Sequence, residues 1–475
     1  MNDTAVTTTV DRPFESVARE TARLLPPDFE LGVAMASYQI EGAVADDGRG
    51  TSIWDTFSHT PGKVARDETG DVACDHYHRY REDVALMAEL GVDAYRLSVA
   101  WPRIQPDGRG PVNGAGADFY SRLVDELLDA GITPLVTLYH WDLPQALEDA
   151  GGWRNRDTAH RFVDYALAVQ DRIGDRVRRW ITLNEPYCSS VLGYGTGRHA
   201  PGVRDAGAAL AAAHHLLLGH GLAVRAMRER EAEASYGITL NLEPVSALRD
   251  RPEDQEAARR SLTLSNLVFT DPVLAGTYPQ DARRTWSAVS DFSFLRDGDL
   301  ETTAAELDFL GVNYYFPARI RAVPHREPDP ALRLVDDLGA AALVLPDDEV
   351  TEMGWPVDSD GLRRLLVWLH ETYPALPPVY ITENGRACLD VVEDGAVHDE
   401  ARIRYVDSHL RAVAQAVESG VDVRGYFQWT LLDNFEWAEG YARRFGLVHV
   451  DYDTLARLPK DSFSWYQALL AARRP

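Results

Sequence analysis

Residues 178–186 read RRWITLNEP, a short apolar run that ends on an amide and a carboxylate. Residues 378–386, PVYITENGR, repeat this arrangement through the same Ile-Thr pair. Both runs have the length and β-branched content of a buried strand, and each places a glutamate, Glu185 or Glu383, at its end. Two strands that finish in the same way predict that their carboxyl ends meet at one site.

Six further strand-like runs complete a regular alternation with amphipathic helical patterns. They cover residues 29–42, 93–101, 132–141, 235–244, 307–316 and 423–432. Helical patterns separate them, and several end on glycine, as helices commonly do, at 76–91, 118–131, 158–174 and 401–420. Eight βα units in one run predict an α/β fold, a single (β/α)8 barrel whose active site lies at the carboxyl ends of the strands.

The predicted barrel takes residues 29–475 as one catalytic domain. Residues 1–28 form an N-terminal segment that either is disordered or docks against the barrel. The chain has 475 residues, of which 45% are hydrophobic and 26% charged, so it is long enough for a large core. Whether the protein is a monomer or an oligomer is not indicated by any of these patterns.

Composition also restricts the partners of this chain. A formal net charge of -26 argues against nucleic acid, because its phosphates are bound mainly by Lys and Arg. The three cysteines, Cys74, Cys188 and Cys388, are an odd and scattered set that favours a reducing compartment. Because we find neither a signal-peptide pattern nor an uninterrupted apolar run of membrane-spanning length, we expect a cytoplasmic protein that does not bind membranes.

The remaining predicted strands also end in polar or aromatic side chains. These candidates for binding a ligand are Gln39, His140, Trp141, Asn313, Tyr315, Trp429, Glu436 and Trp437. Amides and carboxylates bond sugar hydroxyls, and indole faces pack on the apolar face of a pyranose. Two carboxyl groups in such a site predict cleavage of a glycoside. A separation of about 5 Å gives retention and about 6.5–9.5 Å gives inversion, and the sequence alone leaves both open.

Two motifs resemble a metal site or a cofactor site, but the surrounding sequence argues against both. DHYH at 75–78 opens a helical pattern, where residues two apart do not share a face. GYGTG at 193–197 lacks the spacing of a dinucleotide-binding loop. We therefore expect neither a metal nor a cofactor.

Eight blocks of the chain, in order from about Phe29 to Tyr466, together resemble the family-1 glycoside hydrolases, the β-glucosidases and their relatives. The blocks are GVAMASYQIEG, YRLSVAWPRI, LYHWDLPQALEDAGGW, TLNEP, LGVNYY, VYITENG, WTLLDNFEWAEGY and RFGLVHVDY. The resemblance implies a retaining (β/α)8 barrel. It makes Glu383 in ITENG the nucleophile and Glu185 in TLNEP the acid/base.

The same resemblance implies roles for the surrounding residues. Arg96 and the Tyr315 hydroxyl match the partners that support the nucleophile, and Trp355 matches the aromatic side chain that lines the aglycone side. The positions that bind the terminal sugar are matched by Gln39, His140, Asn184, Glu436 and Trp437, with Trp429 under the ring and Phe445 beside it. The chain departs from the family pattern at Phe316, Pro317 and Arg386, near the expected pocket rim, which puts the aglycone preference in doubt.

The resulting hypothesis is a retaining, exo-acting β-glucosidase that removes terminal non-reducing β-D-glucosyl residues, with β-fucosides and β-galactosides as further substrates. Its partner is a small β-glucoside or an oligosaccharide such as cellobiose. Two alternatives stay open. A sugar-binding barrel without activity would normally have lost a carboxylate, and a transglycosylase shares every catalytic residue. Members that cleave 6-phosphorylated sugars replace the carboxylate at Glu436 with a small residue such as Ser, so Glu436 predicts an unphosphorylated substrate.

Overall fold

A closed barrel of parallel strands forms the centre of the computed structural model, which describes residues 13–323 and 339–474. Around the barrel the strands follow the order β1, β2, β3, β4, β5, β7, β10 and β11. The strands of the described residues are β1 (Glu30–Ala34), β2 (Ala94–Ser98), β3 (Thr133–Tyr139), β4 (Arg179–Asn184), β5 (Ser235–Asn241), β6 (Val245–Ala247), β7 (Phe309–Asn313), β8 (Ala318–Ala322), β9 (Ala340–Ala342), β10 (Val379–Asn384), β11 (Val423–Trp429), β12 (Val448–Val450) and β13 (Arg457–Pro459).

Helices follow the barrel strands and cover the outside of the barrel. They are α1 (Pro13–Leu24), α2 (Ser37–Ile40), α3 (Ile53–Ser58), α4 (His76–Leu90), α5 (Trp101–Ile104), α6 (Gly114–Asp129), α7 (Gln145–Asp149), α8 (Asp157–Ile173), α9 (Ala206–Arg230), α10 (Pro252–Leu262), α11 (Val268–Leu274), α12 (Ala282–Trp286), α13 (Asp299–Thr303), α14 (Ser359–Thr372), α15 (Glu400–Glu418) and α16 (Asp461–Ala471). The predicted α/β fold, a single (β/α)8 barrel, is confirmed, and each of the eight predicted runs contains one barrel strand.

The barrel interior is filled by side chains rather than open. Phe309 and Phe427 are almost completely buried there with Ala34, Ala94 and other small or apolar residues. A Cβ atom at Gly32 would lie 2.6 Å from the ring of Phe427, so only glycine leaves room for that ring. The packed interior closes the lower part of the barrel, and ligands therefore have access only from the carboxyl ends of the strands.

Helix α1 packs against the outside of the barrel, on α15 and α16. Its residues Ala18 and Ala22 are buried, and the Arg473 guanidinium donates hydrogen bonds to the carbonyl oxygens of Ala22 and Phe29. Residues 13–28 are therefore docked. Residues 1–12 lie outside the described residues, and the boundary between an N-terminal segment and a catalytic domain at 28/29 stays a prediction.

Helix α9 is long and apolar enough to cross a membrane when it is judged by length and composition alone. Of its most apolar window, 78% is buried inside the protein. It packs extensively on α8, so it is a buried helix of the layer that surrounds the barrel. The expectation that the protein does not bind membranes stays a prediction.

A buried ion network holds the segment that follows β11. The Lys460 ammonium lies 2.7 Å from Asp433 and 2.5 Å from Asp390, and Arg402 lies 2.9 Å from Asp390. All four side chains are at most 1% exposed. Because buried charges are stable only when they are paired, this network fixes the position of Asp433, and with it the loop that continues to Glu436.

Candidate active site

A cavity of about 380 Å³ opens at the carboxyl ends of the barrel strands. Eleven of the fourteen predicted site residues line it: His140, Trp141, Glu185, Asn313, Tyr315, Trp355, Glu383, Trp429, Glu436, Trp437 and Phe445. The other three, Gln39, Arg96 and Asn184, are buried directly behind this lining and contact it through hydrogen bonds. The fold therefore brings the whole predicted set together.

Glu383, near the end of β10, is held by a cation and a hydroxyl. Arg96 on β2 places Nη1 2.5 Å from its Oε1, and the Tyr315 hydroxyl donates to its Oε2 over 2.8 Å. Both contacts stabilise the ionised carboxylate. Arg96 also donates to the Asn184 Oδ1 over 2.6 Å, so the guanidinium is fixed in place by β4 as well.

Glu185 follows β4 directly and occupies a different environment. Its backbone has a φ of 47°, a left-handed conformation that is rare outside glycine, and its N–H donates to the carbonyl of Thr239. The side-chain amide of Asn313 donates to Oε1 over 2.7 Å. Burial and the nearby charge of Glu383 raise the pKa of Glu185 to about 7, although Asn313 and Cys188 oppose the shift. Glu185 can therefore carry a proton near neutral pH.

Asn184 links the two carboxyl groups to the neighbouring imidazole. Its Oδ1 accepts from Arg96 and from Asn313, and its Nδ2 lies 3.0 Å from the His140 Nε2. The Trp141 indole donates to the Asn184 carbonyl over 2.9 Å. Burial and the charge of Arg96 hold the pKa of His140 well below its usual range, so its ring is neutral.

Gln39 and Glu436 form the opposite side of the cavity. The Gln39 Nε2 donates to the Phe435 carbonyl over 2.9 Å and to the Glu436 Oε2 over 3.5 Å. Its Oε1 is buried and has no hydrogen-bond partner among the described residues. Burial, followed by the charges of Glu383 and Glu185, raises the pKa of Glu436 to about 8. At neutral pH Glu436 is therefore mainly a carboxylic acid, which can donate as well as accept a hydrogen bond.

Aromatic rings build the remaining walls. His140 stacks between Trp429, at 6.1 Å, and Trp437, at 5.9 Å. Trp437 has a φ of 50° and is packed against Trp54 at a centroid distance of 4.5 Å. These contacts fix the two indoles, which offer flat apolar faces to a sugar ring.

A second aromatic group lines the outer part of the cavity, where the sequence departs from the family pattern. Trp355 contacts Tyr315, Phe316 and Phe445 with ring centroids 5.0–6.1 Å apart. Arg386 donates to the Val350 carbonyl and pairs with Glu349. It does not line the cavity, and neither does Pro317, so of the three departures only Phe316 bears directly on ligand binding.

Several lining residues were not singled out from the sequence. They include Tyr187, Cys188, Leu192, Arg198, His199, Glu243 and Glu439. Cys188 is the first of a π-helical segment, Cys188–Gly195, and its thiol donates to the Glu185 Oε2 over 3.2 Å. Glu243 lies two residues after β5, so the rule that strand ends face the cavity would have identified it.

Two carboxyl groups with different partners face one cavity. Glu383 is paired with a cation, whereas Glu185 is buried beside amide and thiol donors. Such a pair can supply a nucleophile and a proton donor at the same time. The motif DHYH takes no part, because the ring of His76 pairs with Asp83 and that of His78 with Asp75.

Comparison with known proteins gives a consistent result. A family model described as Glycosyl hydrolase family 1 matches residues 21–474. The chain is 52% identical to the thermostable beta-glucosidase B of Thermobispora bispora, over 93% of this chain and 89% of that protein. It is 47% identical to a bifunctional beta-D-glucosidase/beta-D-fucosidase of Bifidobacterium breve, over 94% and 98%. The crystal structure of a psychrophilic beta-glucosidase from Micrococcus antarcticus superposes with a TM-score of 0.92 at 48% identity and covers 97% of this chain and 99% of that one.

Proposed function

Because the chain belongs to glycosyl hydrolase family 1, whose members are retaining glycosidases, we propose how its own residues perform that reaction. The protein is a β-glucosidase that hydrolyses terminal β-D-glucosyl residues with retention of configuration. The observation that carries the assignment of roles is the unequal pairing of the two carboxyl groups, a guanidinium on Glu383 and only uncharged donors on Glu185.

In the first step Glu383 attacks the anomeric carbon and forms an ester with the sugar. The bond from that carbon to the glycosidic oxygen breaks, and Glu185 gives its proton to the departing oxygen. The Arg96 and Tyr315 contacts hold the Glu383 carboxylate in place for the attack. The pKa of about 7 keeps Glu185 protonated in a large part of the molecules at neutral pH.

In the second step water releases the sugar. Once Glu383 is esterified its charge is gone, so the repulsion that helps to raise the pKa of Glu185 is removed. Glu185 then takes a proton from the attacking water, whose oxygen bonds the anomeric carbon while the ester bond breaks. The same residue thereby serves as acid and as base.

The terminal sugar binds between the Trp429 indole and the polar groups of Gln39, His140, Asn184, Glu436 and Trp437. The free Gln39 Oε1 and the protonated Glu436 together offer an acceptor and a donor for the hydroxyls farthest from the scissile bond. Packing of Trp437 on Trp54 and Tyr38 closes this end of the cavity, which supports exo action on a non-reducing end.

Short β-glucosides such as cellobiose fit the size of the cavity, about 380 Å³. Fucosides and galactosides have an inverted 4-hydroxyl, and fucosides also lack the 6-hydroxyl, but both keep the 2-hydroxyl that meets Asn184, so they are further candidates. A cytoplasmic location is consistent with the three cysteines, each of which is a free thiol in the structure. The substrate in the cell is therefore a small glucoside that has entered the cytoplasm.

The test is chemical rescue of two variants. Glu383→Gly should lose turnover by several orders of magnitude, and added azide should attack from the vacated side to give the α-glucosyl azide. Glu185→Ala should still cleave aryl glucosides with good leaving groups, and azide should give the β-glucosyl azide. Recovery of the β-azide from Glu383→Gly would show that the roles are reversed. Product analysis with the unmodified protein separates hydrolysis from transglycosylation.

A further inference from the structure

The outer half of the cavity is apolar apart from a few charged groups. Its walls are built by Tyr187, Leu192, Leu264, Phe316, Ile320, Ala340, Ala342, Met353 and Trp355. Three charged side chains also face it, Arg198, Glu439 and Glu243. Arg198 and Glu439 lie 3.4 Å apart and are partly exposed at the rim, so their charges largely offset each other. Among the described residues of this outer half, Glu243 is the remaining ionisable acidic side chain.

Glu243 is held in a fixed position by its main chain. Its N–H donates to the Asn266 Oδ1 over 3.4 Å, and its carbonyl accepts from the Asn266 Nδ2 over 2.9 Å. The side chain of Asn266 is itself fully buried. Strand β6 begins two residues later and pairs with β8, which fixes the segment on its other side. The main chain of Glu243 is therefore fixed in the wall of the cavity.

Among the described residues the carboxyl group of Glu243 has no cationic partner. No Lys or Arg of residues 13–323 and 339–474 forms an ion pair with it, and the nearby Ser265 hydroxyl donates to the Asn266 Oδ1 over 3.0 Å. Burial raises its pKa to about 7. Tyr187 and Glu243 line the same cavity, and burial followed by the charge of Glu243 raises the pKa of Tyr187. Although Glu243 is partly exposed, its ionised carboxyl group would be stabilised by a cation bound in this mainly apolar part of the cavity.

The position of Glu243 relative to the reaction decides what that partner is. Because Glu185 protonates the departing oxygen, the leaving group must lie in the outer half of the cavity. Glu243 lines this cavity together with Ile320 and Ala340, so a leaving group bound there can contact it. In apolar surroundings a positive charge next to this carboxyl group is attracted strongly, and a negative charge is repelled strongly.

We infer that Glu243 is a specificity-determining residue that selects leaving groups carrying a protonated amine over leaving groups carrying a carboxylate. The inference rests on the proposed function, since it requires the leaving group to occupy the outer half. The apolar walls contact the hydrocarbon part of the leaving group, and Glu243 pairs with its ammonium group. A second sugar would occupy the same space and would donate a hydroxyl to Glu243 more weakly.

The experiment compares three aryl β-glucosides that differ only in the para substituent, which is methyl, aminomethyl or carboxylate. The kcat/KM of each is measured at pH 7 for the unmodified protein and for Glu243→Gln and Glu243→Asp. Because the kcat/KM of each substrate is compared between the unmodified protein and the variants, differences in leaving-group acidity between the substrates cancel. Glu89→Gln, which removes an exposed carboxylate on α4 outside the barrel, is the control for overall charge.

In Glu243→Gln we expect the ratio of kcat/KM for the aminomethyl substrate to kcat/KM for the methyl substrate to fall at least fivefold. The corresponding ratio for the carboxylate substrate over the methyl substrate should rise at least fivefold. Glu243→Asp keeps the charge and should keep the order of the three substrates, and Glu89→Gln should leave both ratios as they are. Equal losses on all three substrates in Glu243→Gln, or ratios that change less than twofold, would overturn the inference. Failure of the unmodified protein to cleave the methyl compound would instead overturn the proposed function.

Discussion

The guanidinium of Arg96 and the carboxylate of Glu383 form an ion pair of 2.5 Å in which neither side chain is more than 5% exposed. The second terminal nitrogen of Arg96 bonds Asn184, the residue directly before Glu185. One cation therefore ties the ends of β10 and β4 to β2. Arg96 thus both pairs with the Glu383 carboxylate and fixes the position of the end of β4.

Replacement of Arg96 by Met should lower kcat/KM for an aryl glucoside by about a hundredfold or more, corresponding to about 3 kcal/mol. The reason is that Glu383 then lies buried without the cation that pairs with it. Arg96→Lys keeps the charge but loses the second bond, so it should recover only part of the activity. Equal activity of Arg96→Met and the unmodified protein at all pH values would contradict this role.

The activity of the free protein should follow a bell-shaped pH profile whose upper limb lies near pH 7. The sign follows from the required proton: Glu185 must be protonated to act as the acid, and its pKa is raised to about 7, so activity falls as pH rises through that value. Coupled carboxyls titrate together, and Glu436 contributes to the same limb. With a substrate whose leaving group needs no acid, Glu185→Ala should flatten the limb. An unchanged upper limb in that variant would point to a different acid.

Removal of the Cys188 thiol should move the upper limb to higher pH by about half a unit to one unit. The thiol donates to the Glu185 carboxylate and so favours its ionised form. The charge of Arg96 also lowers the pKa of Glu185, whereas the charge of Glu383 raises it. Cys188→Ala is compared with Cys188→Ser, which keeps a donor and should shift the limb less. A downward shift in Cys188→Ala would mean that the thiol does not act on Glu185.

We expect kcat/KM for cellobiose to exceed that for its 6′-phosphate by at least about a hundredfold, which corresponds to about 3 kcal/mol. The sugar end of the cavity already holds Glu436, Glu383 and Glu185, and burial with mutual repulsion raises the pKa of Glu436 to about 8. A phosphate of about two negative charges would lose its hydration beside these carboxyl groups, and Arg198, a cation of the cavity lining, is already paired with Glu439. Equal or faster cleavage of the phosphate would show that Glu436 does not face the 6-position.

Lys460→Met should destabilise the fold by about 3–5 kcal/mol, measured as a lower urea midpoint, because it removes one of the two cations that pair with each of the buried carboxylates Asp390 and Asp433. Burial opposes ionisation of Asp433, yet the charges of Lys460, Arg444 and Arg402 hold its pKa below the usual range. A depressed carboxyl pKa stabilises the fold above the unfolded pKa, and this contribution is lost as pH falls through the folded pKa. The unmodified protein should therefore lose stability in acid more steeply than Lys460→Met.

The sequence predicted the barrel and the site because both depend on local patterns. A buried parallel strand is a short apolar run, and the residue after it faces the cavity, so Glu185 and Glu383 are visible from their positions alone. The protonation of Glu436 was not predictable, since it depends on three carboxyl groups that come from different strands. The docking of α1 likewise depends on packing between the two ends of the chain, which no local pattern encodes.

The closure of the barrel between β1 and β11 also constrains synthesis of the protein. Gly32 pairs with Phe427, and the Gln39 amide bonds Asn434, 395 residues further along the chain. A growing chain on the ribosome therefore leaves the edge of β1 unpaired until nearly the whole sequence has emerged, and such an edge is prone to association. Glucose or an inhibitor cannot assist earlier, because the Gln39 and Glu436 side of the pocket does not yet exist.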